Sequence, residues 1–150
     1  MQIDVTRDVF KLAQVFTIAR GSRTEAQVLT VKLNDGQHVG WGECVPYARY
    51  GESLQSVTDE ITGLPDAFSR FDLYDLLPAG AARNAVDCAL WDLEAKSTGM
   101  RVSDIIGLGS LNPEVTAYTL SLDQPKLMEI QAKRNSFRPL LKIKLGTPDD

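Results

Sequence analysis

The stretch from Pro113 to Leu145 constrains the fold more than any other part of the chain. Val115 to Leu122 reads as a strand, Asp123-Gln124-Pro125 opens a helix along which Leu127, Ile130 and Arg134 are spaced, and Leu140 to Leu145 reads as a second strand. Strand, helix and strand within about thirty residues form a βαβ unit, whose strands must run parallel. A lone parallel pair has two open edges and no covered face. The expectation is therefore a parallel sheet that begins here and is cut short within the 150 residues.

The second of these strands contains Lys142-Ile143-Lys144. Side chains alternate along a strand, so Leu141, Ile143 and Leu145 form an apolar face while Lys142 and Lys144 stand side by side on the other. Lysine is almost never fully buried without a partner or a task. The pattern alone leaves two readings open, a half-exposed surface strand or a proton-transfer site.

The first third reads as β. Gln27, Leu29, Val31 and Leu33 alternate with Val28, Thr30 and Lys32, and Asn34-Asp35-Gly36 is a hairpin signal. Val39, Trp41 and Glu43 then alternate with His38, Gly40, Gly42 and Cys44. Phe10/Leu12 and Phe16/Ile18 add a strand, interrupted near Ala13-Gln14, giving a three-stranded antiparallel meander followed by a Tyr- and Arg-rich loop, Pro46 to Glu52.

The middle reads as α. Ser53 is expected to cap a helix to Thr62 closed by Gly63, and Asp72 a short helix through Leu77. Ala82, Ala85, Val86, Ala89, Leu90 and Leu93 mark a packed helix over residues 81–98 with Gly99 as its stop, and Ser103 is expected to cap one more turn through Ile106. On the long helix, Asp92–Lys96 and Arg83–Asp87 have ion-pair spacing. Glu43 is expected to hold the loop after it, Trp41 and Trp91 to lie in the core, and His38 to be solvated.

A net charge of −4 without a basic cluster argues against nucleic acid and anionic membranes as partners. No apolar run approaches the ~18 residues of a membrane span. The first residues lack the apolar core of a signal peptide, so Cys44 and Cys88 are expected as free thiols in the cytoplasm. A single histidine makes a Cys/His zinc site implausible.

Four segments carry a family likeness: Phe16–Arg23, Gly42–Glu52, Ala81–Leu93 and Lys142-Ile143-Lys144. Through them the sequence resembles the enolase superfamily, its muconate-lactonising branch, and within that the dipeptide epimerases of the L-Ala-D/L-Glu type. The resemblance implies an α+β capping domain over residues 1–112, then over 113–150 the first two strands of a modified TIM-type (β/α) barrel of typically ~250 residues. It implies a Mg²⁺-dependent 1,1-proton transfer through an ene-diolate, a small dipeptide substrate, a homo-oligomer and a place in murein-peptide recycling. The family's magnesium ligands, its second catalytic lysine and the acidic pair for the substrate ammonium lie on later strands, so this chain alone is expected to be inactive.

By the same resemblance Lys144 is the acid/base and Lys142 its electrostatic partner. A lysine base must be neutral, its pKa brought down from about 10.4, and a neighbouring cation and desolvation both act in that direction. Arg23, in the loop with Arg20, would meet the anionic side chain of a Glu-type substrate, since arginine suits bidentate carboxylate recognition. Tyr47 either shapes the pocket or packs against the meander. Thr119 shares a strand face with Ala117 and Ser121 and either bonds substrate or is structural. Rival readings are another superfamily enzyme (cycloisomerase, N-acyl amino acid racemase or o-succinylbenzoate synthase) or, were 150 residues the natural length, a non-catalytic capping module.

Overall fold

The computed structural model describes residues 1–146, which fall into two compact units. The first joins Met1–Val9 to Gln27–Leu111. Its sheet has the order β1 (Gln2–Ile18), β2 (Gly21–Asn34), β3 (Val39–Cys44). The expected break near Ala13-Gln14 is absent: β1 is one continuous strand. β2 and β3 pair antiparallel from Asn34↔Val39 to Leu29↔Cys44. The turn between them is built by side-chain oxygens. Asn34 Oδ1 accepts from the Gly36 N–H, and Asp35 Oδ1 from the N–H groups of Gln37 and His38. Those two bonds, His38's first, hold the Asp35 carboxyl below the usual carboxylate range.

The long helix, α3, spans Ala81–Thr98 as its periodicity predicts and is stopped by Gly99. It buries Ala82, Ala85, Val86, Ala89, Leu90 and Leu93 against Leu29, Val31 and Leu33 of β2 and Cys44 of β3. The approach to β3 is very close. A Cβ on Gly42 would stand 1.9 Å from the Ala85 carbonyl oxygen, and one on Gly40 2.1 Å from that of Ala89. The glycines therefore face the helix and Trp41, between them, faces out. It is 48% exposed, with Lys32 Nζ 4.4 Å from the ring centre, which corrects the expectation of a core tryptophan. Trp91 is half-buried and carries the Arg70 guanidinium 3.4 Å from its ring centre.

Of the expected ion pairs on α3, Asp92–Lys96 forms; its carboxylate also accepts from the Trp41 N–H, and Lys96 Nζ donates to the Val39 carbonyl, tying helix to strand. Arg83 instead lies over the Tyr74 ring, and no Arg83–Asp87 pair occurs among the described residues.

α1 (Leu54–Thr62) is capped by Ser53 as expected, through a reciprocal box with Ser56. Two other caps differ. The Asp72 carboxylate accepts from the N–H and hydroxyl of Ser69, not from α2 (Leu73–Leu76), because the preceding turn offers two donors at 2.7 Å. Ser103 lies inside α4 (Val102–Ile105), buried and without a hydrogen-bond partner for its hydroxyl; Arg101 takes the cap position and pairs with Asp104.

The second unit joins Phe10–Ala26 to the chain from Asn112 onward. It holds the outer part of the β1–β2 hairpin and the βαβ unit: β4 (Tyr118–Leu120), α5 (Pro125–Arg134, with Pro125 at its first turn) and β5 (Leu141–Ile143). β4 and β5 pair parallel, with Tyr118↔Leu141, Thr119↔Lys142 and Leu120↔Ile143. Both strands are shorter than their apolar patterns suggest: among the described residues they pair only with each other, over three positions. Ile143 and Leu145, on the expected apolar face, are 54% and 63% exposed.

Candidate active site

The parallel register brings three of the sequence-predicted residues together. In register, paired residues of a parallel ladder point to the same face, so Thr119 stands beside Lys142. Just past both strand ends the Lys144 backbone N–H donates to the Leu120 carbonyl at 3.2 Å, so the register continues and brings Lys144 level with Ser121. Thr119, Ser121, Lys142 and Lys144 thus share one face at the C-terminal ends of β4 and β5. In (β/α) barrels that end carries the chemistry. Lys144 is half-buried there and Lys142 exposed.

The hairpin with Arg20 and Arg23 reaches the same end. Its turn, Ala19-Arg20, is followed by Gly21 at φ 134°, a conformation that side chains disfavour. Next to the turn, the Leu122 N–H donates to the Thr17 carbonyl at 3.0 Å. Beyond β5, a Cβ on Gly146 would stand 2.4 Å from that of Ala19. The hairpin tip therefore touches the chain at the ends of both parallel strands, with Arg20 and Arg23 exposed on it.

Tyr47 belongs to the first unit. It is half-buried, its ring 5.7 Å from that of Tyr50, and its N–H donates to Glu52 Oε2 at 2.8 Å. The other oxygen of Glu52 accepts from the Ala81 N–H at 2.7 Å, the first residue of α3. Glu52, not the expected Glu43, thus holds the loop and caps a helix whose own cap position, Gly80, has no side chain. Sequence reasoning missed it, although an uncapped glycine start on a buried helix calls for an acceptor from elsewhere. Replacing Glu52 by alanine should cost about 2 kcal/mol, as hydrogen bonds to a charged acceptor do. A urea titration would read the loss, and a midpoint equal to that of the unaltered protein would contradict the double role.

Burial, together with Glu52 and Glu43 nearby, pushes the Cys44 thiol up to about 11. It is protonated at neutral pH and is no nucleophile. No group of three or more His, Cys, Asp or Glu side chains among the described residues is placed to hold a metal, so the magnesium implied by the likeness finds no ligand set in them.

Residues 1–107 match the family described as mandelate racemase / muconate lactonizing enzyme, N-terminal domain. The chain belongs to this family. Its α+β sheet and helices are the family's capping domain, as expected. Among similar proteins, an L-Ala-D/L-Glu epimerase of Escherichia coli (strain K12) is 42% identical over 149 residues, covering 95% of this chain and 46% of that protein. An N-acetyl-D-glutamate racemase of a Pseudoalteromonas species is 41% identical over 128 residues, 81% of this chain and 40% of that protein. A crystal structure of an enolase-family member from Agrobacterium tumefaciens, with homology to dipeptide epimerases and with bound sodium and L-Ala-L-Glu, superposes with a TM-score of 0.95 at 49% identity, over 99% of this chain and 47% of that one. The chain thus spans less than half the length of each.

Proposed function

We propose that this chain is the N-terminal part of an epimerase that moves the α-proton of a glutamate residue in L-Ala-D/L-Glu-type dipeptides. The observation carrying this reading is the shared face of Thr119, Lys142 and Lys144 at the C-terminal ends of two parallel strands, with the Arg20/Arg23 hairpin seated at the same end. Lys144 takes or returns the proton on one side of the α-carbon, and a base outside the described residues serves the other side. Lys142, two residues away on the same face, keeps a second cation beside it. Arg23 pairs with the glutamate side-chain carboxylate, and Thr119 donates a hydrogen bond to the substrate. Magnesium would need ligands from outside the described residues.

One relative favours a second reading, racemisation of an N-acyl glutamate. The two substrates share the reacting carbon, the acylated nitrogen and the side-chain carboxylate; the dipeptide adds an ammonium group. The test is a complete polypeptide carrying this chain, incubated in D₂O with L-Ala-L-Glu and, separately, with N-acetyl-L-glutamate. Deuterium entering the glutamate α-position of the dipeptide alone supports the first reading, and of the N-acetyl compound alone the second. No exchange in either overturns both. In the active case, Arg23→Gln should raise KM for the acidic substrate about tenfold or more through loss of a charge-assisted pair. An unchanged KM would remove Arg23 from the site.

A further inference from the structure

Ser121 was singled out by neither the Lys-x-Lys pattern nor the arginine loop, yet it is the side chain that joins them. Its hydroxyl donates to the Val15 carbonyl at 3.2 Å and lies 3.4 Å from the Thr17 N–H, from which it accepts. Thr17 is in turn bonded, hydroxyl to hydroxyl, to Ser22 across the hairpin at 2.9 Å, next to Arg23. On the other side, the register sets Ser121 beside Lys144. A single half-buried hydroxyl thus spans two backbone groups of one hairpin strand from a position adjoining the lysine.

We infer that Ser121 is a positioning residue: a clamp that fixes the arginine-bearing hairpin at the C-terminal end of β4 and so sets the distance between the carboxylate-binding arm and the proton-transfer lysine. It touches neither substrate nor the reacting carbon. Without the hydroxyl, the Leu122–Thr17 backbone bond and the Ala19–Gly146 contact still tether the hairpin, but the Val15 carbonyl and Thr17 N–H lose their link to β4 and that strand of the hairpin loosens. Substrate binding through the arm weakens, while the chemistry at Lys144 proceeds once substrate is in place. The kinetic part of this inference rests on the proposed epimerase reading.

The experiment compares Ser121→Ala and Ser121→Thr with the unaltered complete polypeptide, by steady-state kinetics on L-Ala-L-Glu and by backbone hydrogen exchange of residues 15–23. Ser121→Ala is expected to raise KM about tenfold, the equivalent of one lost hydrogen bond at the upper end of its usual range. Its kcat should stay within about twofold and residues 15–23 should exchange faster. Ser121→Thr keeps the hydroxyl and is expected to restore both readouts. Unchanged exchange overturns the clamp. Faster exchange at unchanged KM overturns its role in binding, and a fall in kcat at unchanged KM would move Ser121 into the chemistry. Should the unaltered protein exchange no substrate proton, the epimerase reading falls, while the hydrogen-exchange comparison still decides the clamp.

Discussion

Lys144→Ala, in a complete polypeptide that carries this chain, should lower α-proton exchange on L-Ala-L-Glu by about a thousandfold, the usual scale of a lost general acid/base. The fold should survive. The bond that holds residue 144 to β4 comes from its backbone N–H to the Leu120 carbonyl, which alanine retains. The side chain is half-buried at a strand end, outside the apolar core. Deuterium incorporation measured by mass spectrometry, beside a thermal melt of the same sample, separates the two effects. Robust turnover by a well-folded variant would sink the assignment of Lys144 as the base.

The second large effect is on stability and comes from one methyl group. Gly42→Ala places a carbon 1.9 Å from the Ala85 carbonyl oxygen, inside the contact of β3 with α3. Neither wall can yield easily: one is helix backbone, the other a strand paired with β2 from Asn34↔Val39 to Leu29↔Cys44. Overpacking of this kind costs about 3 kcal/mol or more. Trp41→Ala removes far more atoms at the adjacent position, yet should cost under about 1 kcal/mol, because the ring is largely solvated and loses mainly its contact with Lys32. Urea titration of both variants gives the order. A Gly42→Ala protein as stable as the parent, or less affected than Trp41→Ala, would mean that helix and strand do not meet as described.

That inverted order shows where the sequence was readable. α3 was legible to the residue because six apolar positions at helical spacing and a terminal glycine agree. Ser53 was legible because its partner is three residues away. The parallel βαβ unit could be read from element lengths alone. Trp41 was not readable, since alternation gives two faces but does not say which is inside. Here the face that looks empty is the buried one, because the helix needs room. Glu52 was invisible for another reason: it caps a helix that starts 29 residues later, and no local pattern reports a pairing at that separation. At the candidate site, the spacing of Lys142 and Lys144 put them on one strand face but left their role open, which came, like that of Arg23, from family likeness; the contacts of Ser121 show only when Val15 and Thr17 are seen beside it.

The hairpin clamp also bears on how the protein assembles. Thr17 and Ser121 are separated by 104 residues, so the arginine arm leaves the ribosome long before the strand that receives it has been made. Contacts across so long a span close late, after the chain between them has been ordered. The sheet-and-helix unit, with its core within Met1–Leu111, can condense during that interval and shorten the effective loop. The juxtaposition of the arginine hairpin with β4 is then among the last features to form on the folding path, after the helices of the first unit.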